Sequence, residues 1–449
     1  MNRVLSVLGA TKCNLNCSYC FLHKNPAYLE EDEKLVVSFK NGEYIKNIKK
    51  TITKLKIKFS EFTKFEIWGA ETSLHILEAE DFYKELLLTF PNLVEFGYSS
   101  NFMTDINNHI KFINILEEYS PQKEVRIPLQ VSVDGPDWIS ENTRHYKYEA
   151  LKNNVLKFIE IINSKKLNKV KIDLHFKATI PWDLFKEIFT SKERIEEYYD
   201  FWYNEEKDIN NHIINGHLNF NAHNCFVPSL VWPYKYVKDD GIEITRIAKL
   251  IDSYNLPEKY CYDSNMVLDI FGFQEVNGNY TACDGCGKYV YSLLIKPDGS
   301  MAGCSNGILD TNDKNLEWLK ENDYQEYIES LNTRPYSYTY DNNGNVDYDK
   351  MLQHFDYMKD FWEYQTNYVL TNLCSQIYEL SYAGLVSSIY RDNFETLYRH
   401  ALYIIRKHGC YFTNLRSTGI AYVPSRSYLT LVCNGLIEYY EQRKRTYNE

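Results

Sequence analysis

No stretch of the chain approaches the roughly 18 consecutive apolar residues that a membrane-spanning helix needs, and no long block of like charge interrupts its 449 residues. The first absence removes bilayer-spanning helices, and the second removes acidic or basic disordered arms. Basic residues are also in deficit. Lys and Arg number 50 against 61 Asp and Glu, a formal net charge of -11, with a pI near 5.6. A protein whose main work is gripping phosphate backbones needs a basic footprint, so nucleic acid is disfavoured as a partner. Met1 to Thr11 hold one Arg and a brief apolar run before polar residues and cysteines, unlike a secretory signal. There is no internal repeat and no low-complexity tract. What remains is a globular chain with no membrane association, expected in the cytoplasm, whose 44% hydrophobic content suffices for one large core or two to three domains.

Against these absences stand eleven cysteines, seven of them in two groups: Cys13, Cys17 and Cys20, then Cys261, Cys283, Cys286 and Cys304. In a reducing compartment, clustered cysteines more often ligate metal than form disulfides.

Up to residue 225, short β-branched or aromatic runs alternate with stretches of helical period, the pattern of βα units around a parallel sheet. Strands are expected at Arg3–Gly9, Lys64–Gly69, Leu93–Ser99, Pro128–Asp134, Lys169–Thr179 and Gly216–Ala222. Helices are expected near Lys34–Leu55, Leu77–Phe90, Asn107–Tyr119, Ala150–Ser164 and Pro181–Tyr203, the last opened by a proline in its first turn. The fold class is therefore α/β, with a partial (β/α)6 TIM-type barrel over residues 1–225. Residues 226–310, rich in cysteine and glycine, read as a small domain organised by metal, and 311–449 as mostly helical with a polar turn at Asp341–Asn345.

Cys13-Asn-Leu-Asn-Cys17-Ser-Tyr-Cys20 puts three thiols in an eight-residue loop directly after the first strand. Such a loop can wrap one iron–sulfur cube and leave its fourth iron open, and an open coordination position marks a reactive centre. With 11 cysteines in 449 residues, chance would produce this spacing somewhere in roughly 1 sequence in 150. Zinc usually takes cysteine pairs plus a ligand from a separate segment.

This spacing, with an aromatic Tyr19 before the last cysteine, resembles the signature of the radical S-adenosylmethionine (SAM) superfamily, in its sulfatase-maturase and peptide-maturase branch. Further stretches match in order. Ile67-Trp68-Gly69-Ala70-Glu71 resembles the Gly-Gly-Glu segment that holds the SAM amino group, with Ala70 where the family usually has Gly. Tyr98-Ser99-Ser100-Asn101 resembles the Thr-Asn-Gly step after the third strand. Ser132-Val133-Asp134-Gly135-Pro136 with Arg144 is similar to the segment contacting the SAM ribose and carboxylate, and Ala178-Thr179 would lie near adenine. The resemblance thus implies an enzyme with a [4Fe–4S] cluster on Cys13, Cys17 and Cys20, and SAM held by Tyr19, Gly69, Ala70, Glu71, Ser100, Asn101, Ser132, Asp134, Arg144, Ala178 and Thr179. Taken singly, each such residue has a bland alternative as a solvated or structural side chain. A low-potential electron donor such as flavodoxin or ferredoxin is implied as a partner.

Cys283-Asp-Gly-Cys286, followed by Lys296-Pro297-Asp298-Gly299 and Cys304, looks like the first half of a SPASM or twitch extension. That likeness implies one auxiliary [4Fe–4S] cluster on Cys261, Cys283, Cys286 and Cys304, with Cys374 as a substitute for Cys261. A structural zinc site is the alternative. Cys225, Cys410 and Cys433 read as buried apolar cysteines. Ser305 stands where sulfatase-maturing relatives carry an Asp that serves as a base, which makes that reaction less expected.

The acid or base is not fixed by sequence. Tyr98, Asp134, His175 and Lys177 are the candidates, expected to point toward the barrel mouth. Modification of a peptide or protein, with or without leader guidance, is the leading expectation. A small metabolite is the second, since the first strand starts at once with no N-terminal recognition module before it. A non-catalytic, metal-stabilised binding protein is the third, and the intact cysteine triplet and Glu71 count against it.

Overall fold

The computed structural model describes residues 3–20, 26–231, 254, 274–276, 279–281, 292–302, 313–321, 340–341, 343–353 and 355–356. Six strands alternate with helices along the first half: β1 (Arg3–Ala10), β2 (Phe62–Gly69), β3 (Glu95–Ser100), β4 (Val125–Ser132), β5 (Val170–Pro181) and β6 (Leu218–Ala222). Each is parallel to the next, in sequential order. The helices are α1 (Ala27–Lys40), α2 (Glu43–Lys54), α3 (Glu80–Thr89), α4 (Ile106–Tyr119), α5 (Asp137–Arg144), α6 (Tyr148–Ser164), α7 (Trp182–Phe189) and α8 (Lys192–Asn211). After the four-residue α9 (His223–Phe226), β7 (Val227–Val231) pairs with the end of β5. β8 (Gln274–Val276) and β9 (Asn279–Thr281) form a separate antiparallel pair.

The helices cover one face of the sheet because the strands alternate at period two. In β5, Val170, Ile172, Leu174, Phe176, Ala178 and Ile180 are buried, while the residues between them are half-buried. Phe176 meets Trp202 of α8 and Phe65 meets Tyr83 of α3, edge to face at 6.1 and 6.3 Å. The opposite face carries Glu66, Ser99, Gln130, Ser132, His175 and Lys177, all half-buried. A parallel sheet ordinarily has both faces covered by apolar layers. A sheet with one apolar, helix-covered face and one polar face is compatible with a partial TIM-like barrel.

The strand expectations hold to within three residues at each end. The helix expectations need correction where one periodic stretch hides two helices. Residues 34–55 divide at Asn41 and Gly42, and Gly42 has φ +71°, which a side chain rarely adopts. Residues 181–203 divide at Thr190 and Ser191, and the Ser191 hydroxyl caps α8 by accepting from Arg194 N. Pro181 ends β5 and sits at the N-cap of α7 instead of inside its first turn. α5 has no counterpart among the expected helices.

A further parallel strand comes from the cysteine-rich segment. β10 (Ser292–Ile295) lies beside β1, and β11 (Met301–Ala302) returns antiparallel to it. The Pro297-Asp298-Gly299 turn between them docks on α2. Asn47 Nδ2 donates to Pro297 O at 2.8 Å and Thr51 Oγ1 to Gly299 O at 2.6 Å. Tyr44 OH donates to Ile295 O and accepts from Leu8 N, so one buried phenol ties β10, β1 and α2 together. Residues 292–302 thus share the sheet with residues 3–222. α10 (Asp313–Glu321) follows, and the polar turn at 341–345 is present, closed by Gly344 N donating to Asp341 O. No helix among the described residues is long and apolar enough to cross a membrane.

Candidate cysteine-loop site

The loop from Thr11 to Cys20 leaves β1 at the carboxyl end of the sheet, where loops of α/β folds carry function. Its pairing with the segment after β2 continues beyond the end of that strand, with Ala70 N donating to Ala10 O and Glu71 N to Lys12 O. This closeness explains Gly69. Its φ is +142°, and a Cβ there would stand 1.9 Å from Ala10 O. Ala70, the departure from the Gly-Gly-Glu pattern, is not among the positive-φ residues, so its methyl group costs no backbone strain.

Cys17 is buried, and Cys13 and Cys20 are half-buried. Cys13 Sγ accepts from Leu15 N at 3.4 Å and from Asn101 Nδ2 at 3.5 Å. Asn101 Nδ2 also reaches Asn14 Oδ1, and Asn14 Nδ2 donates to Met103 O, so the loop after β3 braces the loop after β1. Further on, Ser18 N donates to Thr143 O at 2.8 Å and Cys20 N to Cys17 O at 3.0 Å, a tight turn. Burial pushes Cys13 up to about 12 and Cys17 up to about 11, so without a metal both are neutral thiols at pH 7. Among the described residues no three His, Cys, Asp or Glu side chains are gathered as a single-ion site. Thiolates on separate irons of a cube need not converge on one point.

Glu71 is fully buried, and burial pushes its carboxyl up. Its Oε2 accepts from Asn101 N at 2.7 Å and its Oε1 from Ser73 N and Oγ. It therefore joins the β2 and β3 loops whatever else it binds. Ser100 lies below, accepting from Phe102 N. Tyr98 does not face the other catalytic candidates. Its ring packs on Phe112 of α4 and its hydroxyl lies 3.0 Å from His109 Nδ1, on the helix-covered side.

His109 is sealed between Tyr98 and Phe102, and burial lowers it to about 3 from an ordinary 6.5. Above pH 6.5 the imidazole is neutral folded or unfolded, and its full contribution is present. As pH falls toward about 3 the unfolded chain takes up a proton that the folded one refuses, and stability declines. Between pH 7 and pH 5 the loss should be about 2 kcal/mol. His109→Gln should remove that share of the pH dependence, as measured by urea unfolding of both proteins at the two pH values.

Asp134, just past β4, is wholly buried. It accepts from Tyr19 OH at 3.0 Å and from Thr179 N at 3.1 Å, and Arg144 Nε approaches at 2.9 Å. Tyr19, between Cys17 and Cys20, is thereby latched to β4, β5 and the last residue of α5. Arg144 also lies over the Tyr19 ring. Its Nε–H is aligned on no acceptor among the described residues, despite the nearby carboxylate. Ser132 is half-buried and pairs directly with Lys177 in the β4–β5 register, and Ala178 is buried on the helix side.

The site thus brings together the cysteine loop, Gly69 to Glu71, Asn101, Asp134, Arg144 and Thr179 at the ends of five successive strands. No family model matches the chain, and no curated protein matches it. His175 and Lys177 lie on the polar face of the sheet, and burial lowers His175. Of the four acid or base candidates, these two share the polar face. Asp134 is enclosed with its oxygens engaged, and Tyr98 points the other way, a correction to the expectation that all four line the mouth. Cys225 is fully buried, as an apolar cysteine would be. Cys261, Cys283, Cys286, Cys304, Cys374, Cys410 and Cys433 lie outside the described residues. Sequence reasoning missed Asp32, Ser73, His75 and Thr143. Asp32 sits in the acidic run Glu30 to Glu33 and looks like a solvated helix face.

Proposed function

We propose that this chain is a radical SAM enzyme: a partial (β/α)6 barrel followed by a SPASM/twitch-like segment and a mostly helical C-terminal region, acting on a peptide or protein side chain in the cytoplasm. The observation that carries the reading is the joining of the cysteine loop to Glu71, Asn101, Asp134 and Arg144 by one set of short contacts at successive strand ends.

The residues present fit the implied group. Three thiols fall within one short loop, and Cys13 Sγ already receives two donors of the kind a thiolate keeps. Arg144 is a buried cation beside Asp134 at the same cluster, a group that suits an anionic partner such as the SAM carboxylate. Cys13, Cys17 and Cys20 would hold a [4Fe–4S] cluster, and Glu71, Asn101, Ser132 and Arg144 would hold SAM. Bound there, the pair would supply a 5′-deoxyadenosyl radical by one-electron cleavage of the sulfonium, fed by a flavodoxin- or ferredoxin-like donor. The chain's own part is orientation and exclusion of water. The polar face, with Gln130, His175 and Lys177, would orient the substrate C–H bond and exclude water from it. His175, lowered by burial, is neutral at pH 7 and can take a proton there.

Anaerobic reconstitution with iron and sulfide, then reduction with SAM present, is expected to yield methionine and 5′-deoxyadenosine. Chromatography showing neither product, from protein that carries iron, would overturn the reading. Mass spectrometry of candidate peptides expressed with and without the enzyme then identifies the substrate.

A further inference from the structure

The cysteine loop is held at its entry by a carboxylate that belongs to none of the motifs. Asp32 of α1 is buried, and its Oδ1 accepts from Thr11 N at 2.8 Å and from Lys12 N at 3.1 Å, the two residues before Cys13. Its Oδ2 lies 2.9 Å from His75 Nε2. His75 follows Glu71 by four residues in the same turn, where Leu74 N donates to Glu71 O and Ser73 to Glu71 Oε1. Thr11 Oγ1 donates to Tyr28 O, also on α1, at 2.6 Å. Burial pushes the Asp32 carboxyl up, yet the bonds from His75, Thr11 and Lys12 outweigh it and hold it below its ordinary value. A buried acceptor serving two consecutive backbone donors fixes the local chain direction, since each donor would otherwise be left unpaired.

We infer that Asp32 and His75 are positioning residues, which set the cysteine loop in register with the loop that carries Glu71. This rests on the functional reading above. The bond from Asp32 fixes where Cys13 begins, and the bond through His75 fixes how far that point stands from the amine-binding carboxylate. Neither side chain is among the residues proposed to hold the cluster or SAM. Loss of the pair should therefore alter how SAM seats against the cluster more than it alters the chemistry once SAM is seated.

Three variants separate this role from plain structural support. Asp32→Ala leaves the Thr11 and Lys12 amides without an acceptor. Their hydrogen exchange in the metal-free chain should quicken by roughly tenfold to a hundredfold. Asp32→Asn should restore slow exchange, because its Oδ1 can keep both amides while its Nδ2 donates to His75 Nε2. His75→Ala keeps the loop entry but cuts the lateral tie. In the reconstituted enzyme it should retain its iron, raise the KM for SAM about tenfold at nearly unchanged kcat, and shift the SAM-dependent EPR lines of the reduced cluster.

Exchange in Asp32→Ala within about twofold of wild type would overturn the proposal. So would a His75→Ala enzyme whose KM for SAM and EPR spectrum match wild type while only its melting temperature falls. Should Asp32→Ala fail to fold, Asp32→Asn and His75→Ala decide the matter by the same readings. If wild-type protein itself never cleaves SAM, the functional reading falls, whereas the exchange measurement on metal-free chain still decides whether Asp32 holds the loop.

Discussion

Alanine at Cys13, Cys17 or Cys20 is expected to cut SAM cleavage by more than about 10²-fold, with iron content falling in parallel, while Cys225→Ala leaves both intact. The asymmetry follows from where the sulfurs sit. Cys225 is fully buried, with its backbone carbonyl taking the Tyr198 hydroxyl, so its thiol fills space. The other three lie in a loop whose backbone is held by Thr143 and the carboxylate of Asp32 and whose side chains are held by Asn101 and Asp134. Those contacts survive a cysteine-to-alanine change, since apart from the Sγ of Cys13 they run through other atoms. The metal-free variants should unfold within about 1 kcal/mol of wild type. Iron per chain, 5′-deoxyadenosine and a urea melt on the same preparations separate a lost ligand from a lost fold. A single-alanine variant that keeps iron and full cleavage would remove the triplet from the mechanism.

Much of the frame was readable because it is local. β3 to β6 declare themselves by period two, as in Lys171, Asp173, His175 and Lys177 set between buried Val170, Ile172, Leu174 and Phe176. The carboxyl ends of the strands then carry Cys13, Glu71, Asn101 and Asp134 to one end of the sheet with no further information. Helix boundaries were less readable. Phe39 and Tyr44 both face the core, so apolar spacing runs across the Asn41-Gly42 break and conceals it. The pairing of β10 with β1 joins residues almost 290 positions apart, and a four-residue apolar run such as Ser292–Ile295 names no partner.

The internal wiring of the site was the least readable part. The motif assigned Glu71, Asp134 and Arg144 to a ligand, and the structure shows them also bonded to the protein. Glu71 takes the backbone of Asn101, and Asp134 takes Tyr19 and Thr179. Asp32 could not be singled out at all, because its role depends on α1 packing beside the end of β1. Half the polar groups of the site thus hold the loops in the geometry in which the other half could bind, which is the economy expected where a site must be preorganised.

The sharpest consequence concerns Asp134. Removing it by Asp134→Ala leaves the Arg144 guanidinium, 7% exposed, without its carboxylate, and leaves Tyr19 OH and Thr179 N without their acceptor. Stranding one member of a buried ion pair costs about 3–5 kcal/mol, mostly the desolvation of the charge left behind. Urea unfolding of the metal-free chain should register that loss. Arg144→Met in the same chain removes the stranded charge, so the double variant should recover most of the stability, because replacing a buried pair with apolar groups is often close to neutral. On the proposed reading, recovery of the fold should not bring back SAM affinity, because Arg144 is the cation that would meet the SAM carboxylate. An Asp134→Ala protein within about 1 kcal/mol of wild type would mean that solvent reaches Arg144 and that the latch on Tyr19 is dispensable. A double variant no more stable than the single one would place the cost in Tyr19 and Thr179 instead of in the stranded charge.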